Sequence, residues 1–283
     1  VYPNSGLADV RAVDLDGDGA TDIIGIHGGH HLKWTRNSDG IGSFAMATTI
    51  ISFNEDIVLW QLADLDQDLD TDVILVREGG TTLELLRNNG DGTFGTLETV
   101  TDLLTEPAAV IVADVNGDGF LDLIATIGTN GDAGFAWLSG SAAGFGTPII
   151  VPDLHESPAS TMLEAGDLDL IGGRDLVLHD ANNELLFIRN VAGDASSWVA
   201  EPLPIAEGQP TYPYNKPQLL DVDGDGDLDL AESRGSAVHW LKNGLNEGGV
   251  LDFSEHLIEP WTTSGNGVFS SSPCGVGASV VYA

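Results

Sequence analysis

The sequence predicts an all-β protein assembled from repeats of one four-stranded unit. Three observations lead there. An aspartate-rich nonapeptide recurs at a nearly fixed period, short apolar runs flank every copy, and no stretch carries a sustained helical period with caps. The copies are DLDGDGATD (14–22), DLDQDLDTD (64–72), DVNGDGFLD (114–122), a worn DLDLIGGRD (167–175) and DVDGDGDLD (221–229). Their first residues lie 50, 50, 53 and 54 positions apart. A period of this size marks a repeat architecture and outranks any local signal.

Each part of the unit repeats in turn. A first apolar run precedes the acidic loop: ADVRAV, IVLWQLA, AAVIVA, STMLEAG and KPQLL. A second follows it: DIIGI, DVILV, DLIAT, DLVLH and DLAES. A third reads LKWTRN, LELLRN, FAWLSG, LLFIRN and VHWLKN, which makes Trp34, Leu85, Trp137, Phe187 and Trp240 equivalent. A glycine-containing turn with an aromatic (Phe44, Phe94, Phe145, Trp198, Phe253) leads to a last apolar run such as ATTII, TPIIV or EHLIE. These are short strands separated by turn residues. Four strands at this period make a propeller blade. A sandwich of ten or more strands would not require near-identical loops at such spacing. The repeats occupy roughly 8–52, 57–101, 107–151, 159–206 and 216–260 of a single β-propeller domain spanning 1–283. The tail ends in CGVGASVVYA, which resembles the strand before an acidic loop. Residues 261–283 are therefore a closing strand or the start of a truncated further blade, and five to seven blades fit.

The 283 residues carry 10 Lys+Arg against 44 Asp+Glu, a net charge of −34. That balance argues against nucleic acid, whose binding needs a basic surface, and against anionic membranes. Metal cations or a salty medium fit it. With 42% apolar residues the chain is no disordered acidic tail. No apolar run reaches the ~18 residues of a spanning helix, so membrane insertion is not expected. The lone Cys274, in a Pro-Cys-Gly turn, allows no internal disulfide.

Alternating like charges inside a folded segment call for something positive among them. Oxygen-bearing side chains at loop positions 1, 3, 5 and 9, glycines at 4 and 6 and an inward carbonyl at 7 form a hard-oxygen cage of the kind Ca²⁺ takes. Zinc or copper would want His or Cys. An EF-hand would need Glu at position 12 and flanking helices. Position 12 is Gly25, Leu75, Ala125 and Glu232 in the four well-kept loops, and the flanks are strand-like.

D-x-D-x-D-G-x-x-D between two strands, with a later Trp/Phe-x-x-Asn and Gly-x-x-Phe, resembles the FG-GAP or VCBS repeat, the calcium-binding blade of integrin-α-type propellers, over residues 8–260. The resemblance implies calcium ligands Asp14, Asp16, Asp18 and Asp22 with the Ala20 carbonyl in the first blade. In the second it implies Asp64, Asp66, Asp68 and Asp72, with Gln67 and Leu69 in place of the usual glycines. In the third it implies Asp114, Asn116, Asp118 and Asp122, where an amide replaces one carboxylate. In the fifth it implies Asp221, Asp223, Asp225 and Asp229. That makes about four Ca²⁺ sites. Ile171 stands at the third ligand position of the fourth copy, so Asp167, Asp169 and Asp175 are expected to hold metal weakly or not at all.

Millimolar extracellular calcium would saturate even weak sites of this kind. The expected protein is therefore secreted or at a cell surface, a calcium-stabilised, non-catalytic recognition or adhesion module for glycan or extracellular protein. Two alternatives stay open: a structural subunit that self-assembles through its terminal strand, and the propeller of a secreted polysaccharide-degrading enzyme. GDGTFG (Gly90, Gly92, Gly95) matches a dinucleotide fingerprint by letter, but no βαβ unit follows. HGGHH (His27, His30, His31) falls where a hairpin turn belongs. No G-x-S-x-G, H-E-x-x-H or P-loop pattern occurs, and the distinctive acids belong to the loops, which leaves no spare carboxylate pair. Trp34, Trp137 and Trp240, sharing one blade position, are expected in the core, whereas Trp60, Trp198 and Trp261 are candidates for exposure.

Overall fold

The computed structural model describes residues 7–102, 104, 107–127, 134–152, 163–179, 185–205, 217–234 and 237–260. The expected closing segment 261–283, with Trp261 and Cys274, lies outside them. The fold is all-β, with five four-stranded antiparallel sheets among the described residues, each a meander in chain order. The first blade is β1 (Leu7–Val13), β2 (Asp22–His27), β3 (His31–Thr35) and β4 (Thr48–Ser52). The second is β5 (Ile57–Ala63), β6 (Asp72–Arg77), β7 (Leu83–Leu86) and β8 (Glu98–Thr101). The third is β9 (Val110–Ala113), β10 (Asp122–Ile127), β11 (Gly134–Leu138) and β12 (Ile149–Pro152). The fourth is β13 (Leu163–Gly166), β14 (Asp175–His179), β15 (Leu185–Asn190) and β16 (Trp198–Pro202). The fifth is β17 (Gln218–Leu220), β18 (Asp229–Arg234), β19 (Ala237–Asn243) and β20 (Phe253–Pro260). A one-turn helix, α1 (Leu245–Gly248), closes on Gly249 at φ 69°. The sequence expects no helix, and a single turn carries no periodicity to read.

The register confirms the equivalence read from the repeats. Ile24 faces Trp34, Ile74 faces Leu85, Ile124 faces Trp137, Val177 faces Phe187 and Ala231 faces Trp240. Second strands such as DVILVR and DLIATI are continuous apolar runs because both their faces are covered. The fourth strands β4, β8 and β16 are largely exposed or half-buried.

Two compact units divide the blades, the first holding blades one and two and the second blades three to five. In the first unit Leu15, Ile24, Leu32, Trp60, Val73 and Leu75 form one core between neighbouring blades. In the second, Phe135, Leu163, Leu176 and Ile188 join blades three and four, while Phe187, Leu203, Leu230, Leu241 and Phe253 join blades four and five. The first strands β9, β13 and β17 of these three blades pack side by side.

The tryptophans depart from expectation. Trp60 is buried, 4% exposed, and its Nε1 donates to Asp9 Oδ2 at 2.5 Å, because β5 turns this residue into the core between its blade and the first. Trp137 is buried as expected, while Trp34 and Trp240 are half-buried. Trp198 is half-buried too, edge-on to Phe135 at 5.1 Å between ring centroids.

Candidate functional site

Each acidic nonapeptide links the first and second strands of its blade. Its turn needs left-handed backbone at positions 4 and 6: Gly17 and Gly19 have φ 68° and 86°, Gly117 and Gly119 73° and 90°, and Gly224 and Gly226 78° and 95°. Glycine takes such angles without strain. The second loop adopts the same turn without glycine, with Gln67 at φ 64° and Leu69 at 77°, and the fourth with Leu170 at 55° and Gly172 at 91°. One backbone thus persists in all five copies.

Two aspartates of each well-kept loop build this turn. The carboxylate at position 1 accepts loop amides: Gly19 N–H reaches Asp14 at 2.8 Å, Leu69 N–H reaches Asp64 at 3.0 Å, Gly119 N–H reaches Asp114 at 3.0 Å and Gly226 N–H reaches Asp221 at 3.1 Å. The carboxylate at position 9 is fully buried in every copy. One of its oxygens accepts from the amide at position 2, the other from the amide that follows the third strand's apolar run. For Asp122 the donors are Val115 at 3.0 Å and Gly140 at 2.8 Å, and for Asp175 they are Leu168 at 3.1 Å and Asn190 at 2.8 Å. Asp22, Asp72 and Asp229 are held the same way. Burial pushes Asp72 and Asp175 up to about 6, against the pull of these amides, and raises Asp122 and Asp229 as well.

The asparagine at that third-strand position does a second task. Its side-chain amide donates to the position-2 carbonyl of the preceding blade: Asn88 to Leu15 at 2.9 Å, Asn190 to Val115 at 2.7 Å and Asn243 to Leu168 at 3.0 Å. The loops are thereby tied to the packing of neighbouring blades. The recurring Arg-Asn and Lys-Asn dipeptides carry the signal, but the partner carbonyls lie 73 to 75 residues away.

The remaining acids gather. Asp14, Asp16 and Asp22 each present an oxygen within 4.8 Å of the other two, as do Asp64, Asp66 and Asp68, and Asp221, Asp223 and Asp225. The fourth loop also assembles Asp167, Asp169 and Asp175, despite Ile171. Among the described residues no such trio forms from Asp114, Asp118 and Asp122; Asn116 replaces the position-3 acid that every other trio contains, and it donates to Asp118 at 2.9 Å. Asp18, Asp72 and Asp229 stand outside the trios of their loops, and the Ala20 amide donates to Asp18 at 2.8 Å.

Basic side chains reach in from the third strand. Arg36 Nε lies 2.6 Å from Asp16 and Nη2 2.7 Å from Asp18. Arg87 pairs with Asp66, Arg189 Nε lies 3.1 Å from Asp169, and Lys242 pairs with Asp223. The Arg36 hydrogen bond holds Asp18 below the usual carboxylate range, and Lys242 does the same for Asp223, whereas burial raises Asp16 in spite of Arg36.

Even so, buried oxygens are left without a hydrogen-bond donor. They include Asp14 Oδ1, Asp16 Oδ1, Asp66 Oδ1 and Asp167 Oδ1. The Asp16 side chain is 7% exposed. A buried carboxylate oxygen with no donor is costly. The convergent donor set is oxygen only, which fits a hard divalent cation of flexible coordination.

Elsewhere in the first unit a cleft of about 560 Å³ is lined by His30, His31, Phe53, Asn54, Glu55 and Arg77. HGGHH supplies its imidazoles from the β2–β3 turn, as placed from the sequence. His31 Nδ1 lies 2.8 Å from Ser52 Oγ, and Arg77 sits 4.8 Å over the Phe53 ring while gripping Glu84 with two 2.8 Å bonds. Among the described residues no helix is long and apolar enough to cross a membrane.

Comparison with known proteins agrees with the repeat. Residues 14–75 and 64–125 match the family described as FG-GAP-like repeat. No curated protein matches the sequence. Among solved structures, an Agrocybe aegerita lectin that recognises non-reducing terminal N-acetylglucosamine is 18% identical, with 89% of this chain and 80% of that one covered at a TM-score of 0.49. BBS1N in complex with ARL6DN is 12% identical, covering 92% and 85% at 0.50. The Photorhabdus luminescens Tc holotoxin pore is 22% identical, covering 86% of this chain and 12% of that one at 0.47. At these identities the likenesses concern fold alone.

Proposed function

The chain carries FG-GAP-like repeats, and from that premise we propose that it is an extracellular propeller of one domain, stabilised by calcium in its acidic loops, that acts as a non-catalytic recognition module for glycan or protein. The observation that carries the calcium reading is the convergence of Asp14, Asp16 and Asp22, two of which, Asp14 and Asp16, keep a buried oxygen without a hydrogen-bond donor. Asp14, Asp16 and Asp22 would hold the ion in the first loop, Asp64, Asp66 and Asp68 in the second, Asp221, Asp223 and Asp225 in the fifth, and Asp167, Asp169 and Asp175 more weakly in the fourth. Asp114, Asn116 and Asp118 offer the poorest set. When bound, the ion supplies positive charge where carboxylates otherwise face one another. The protein's own residues do the rest: position-1 and position-9 aspartates fix the turn, and the asparagines hold it against the next blade.

Dependence on a weakly held ion suits a compartment with millimolar calcium. The polar cleft over Phe53, with imidazole, amide, carboxylate and guanidinium groups on its walls, suits a hydroxyl-rich or peptide ligand. Thermal melts in calcium, magnesium and EDTA, followed by a glycan array in the stabilising buffer, test the proposal. Calcium should raise the melting temperature by several degrees over EDTA, and more than magnesium does. An unchanged melt in EDTA rejects the calcium reading. An empty array with a positive protein-partner screen selects protein over glycan, and silence in both rejects recognition.

A further inference from the structure

One repeat position shows a correlation internal to the chain. The residue before the third-strand asparagine, or before its counterpart Gly140, is Arg36, Arg87, Ser139, Arg189 and Lys242 in blade order. Lys and Arg together make up only 10 of 283 residues, so four cations at five equivalent positions are not a matter of composition. Each contacts the carboxylate at loop position 3: Asp16, Asp66, Asp169 and Asp223. The exception is double. In the third blade position 3 is Asn116, and its partner is Ser139, with Asn116 Nδ2 3.4 Å from the hydroxyl. Where the acid is absent, so is the base. Arg87 and Arg189 also bridge outward to fourth-strand acids, Glu98 at 3.4 Å and Glu201 at 3.0 Å.

We propose that Arg36, Arg87, Arg189 and Lys242 are tethered counter-ions that hold the position-3 carboxylates, keep the acidic loops folded when no divalent ion is present, and weaken the binding of such an ion. The proposal rests on the reading of the loops as ion sites only for its last clause. Two effects of opposite sign follow from one charge. A fixed cation among carboxylates relieves their repulsion without any ion. The same charge repels an arriving divalent ion and occupies oxygens that would ligate it, and at these distances in a half-exposed site that amounts to on the order of tenfold in affinity. Ordinary surface ion pairs, screened by salt and offset by side-chain entropy, would do neither.

The test is a set of melts in EDTA and across a calcium titration on R36Q, R36K, N116D, S139R and N116D/S139R. R36Q should melt several degrees lower in EDTA, while its stabilisation by calcium is larger and reaches its midpoint at about tenfold less calcium; R36K should restore most of both. N116D should melt lower in EDTA, and adding S139R should recover that loss. R36Q indistinguishable from the parent in EDTA, or N116D/S139R showing only the sum of its single changes, overturns the counter-ion role. If calcium leaves the parent melt unmoved, the calcium reading fails, and the EDTA arm still decides this one.

Discussion

Asp122 separates two roles that the sequence merges. By spacing alone it is one more calcium ligand, the ninth residue of a cage. In the structure it is fully buried, accepts from the Val115 and Gly140 amides, and takes part in no carboxylate trio among the described residues. Asp122→Ala strands two buried amides, each costing about 1–3 kcal/mol, so we expect melting lower by several degrees and by the same amount in EDTA and in calcium. Asp122→Asn keeps one acceptor and should lose less. A loss seen only in calcium would return Asp122 to the ion. This division was not legible from sequence, because it depends on hairpin register, which brings residues 18 positions apart to one carboxylate. Arg36, Arg87, Arg189 and Lys242 were legible in principle as a repeated letter, yet their meaning lies in a contact with Asp16, Asp66, Asp169 and Asp223 across the hairpin.

At the scale of the element, the acidic loop shows what periodicity can and cannot convey. Five strand–loop–strand units and their equivalent third-strand positions follow from the repeat, since a period near fifty leaves room for four short strands and little else. Trp60 escaped because an aromatic outside the repeated positions carries no periodic information about which face it takes; its burial against the first blade is a tertiary fact. The loss of glycine at Gln67 and Leu69 does not change the turn, since the position-1 and position-9 aspartates and their amides over-determine it. That leaves strain in place. Leu69 is 90% exposed, so its side chain buries little to offset a left-handed backbone. A non-glycine residue there costs about 1–2 kcal/mol, partly balanced by the entropy glycine adds to the unfolded chain. Leu69→Gly should therefore stabilise by about 0.5–1 kcal/mol, read as a higher denaturant midpoint at unchanged slope. The converse change, Gly19→Ala, meets no atom within 4 Å, so its φ of 86° alone should make it destabilising. A neutral Leu69→Gly would mean that the second loop relaxes into another turn.

For the whole molecule the governing quantity is the net charge of −34 set against buried aspartates whose ionisation is disfavoured. Asp72 and Asp175 are pushed to about 6 in the fold, mainly by burial, from an ordinary 3.8. Around Asp72 the charged neighbours are Asp66, which raises it further, and Arg87, which lowers it; around Asp175 they are Asp169 and Asp167, both raising it. A folded-state carboxyl raised above its unfolded value contributes stability that is fully present below about pH 3.8 and is lost as pH climbs through about 6. Asp18 and Asp223 act in the opposite sense, since their depressed values give stability that vanishes only as pH falls below 3.8. Between about pH 4 and 7 the first group titrates and the second does not, so in EDTA the melting temperature should fall as pH rises across that window. Calcium acts on the ionised form and should flatten or reverse the slope. Monovalent salt in EDTA should raise the melt by screening alone and do so less effectively than calcium at equal ionic strength, because screening reaches exposed charges and not buried ones. Melts over a pH series in EDTA, in calcium and in sodium chloride read all three. A flat EDTA series would show that the paired backbone amides fully offset the burial of Asp72 and Asp175, and equal potency of sodium and calcium would show that the loops respond to ionic strength and not to a bound ion.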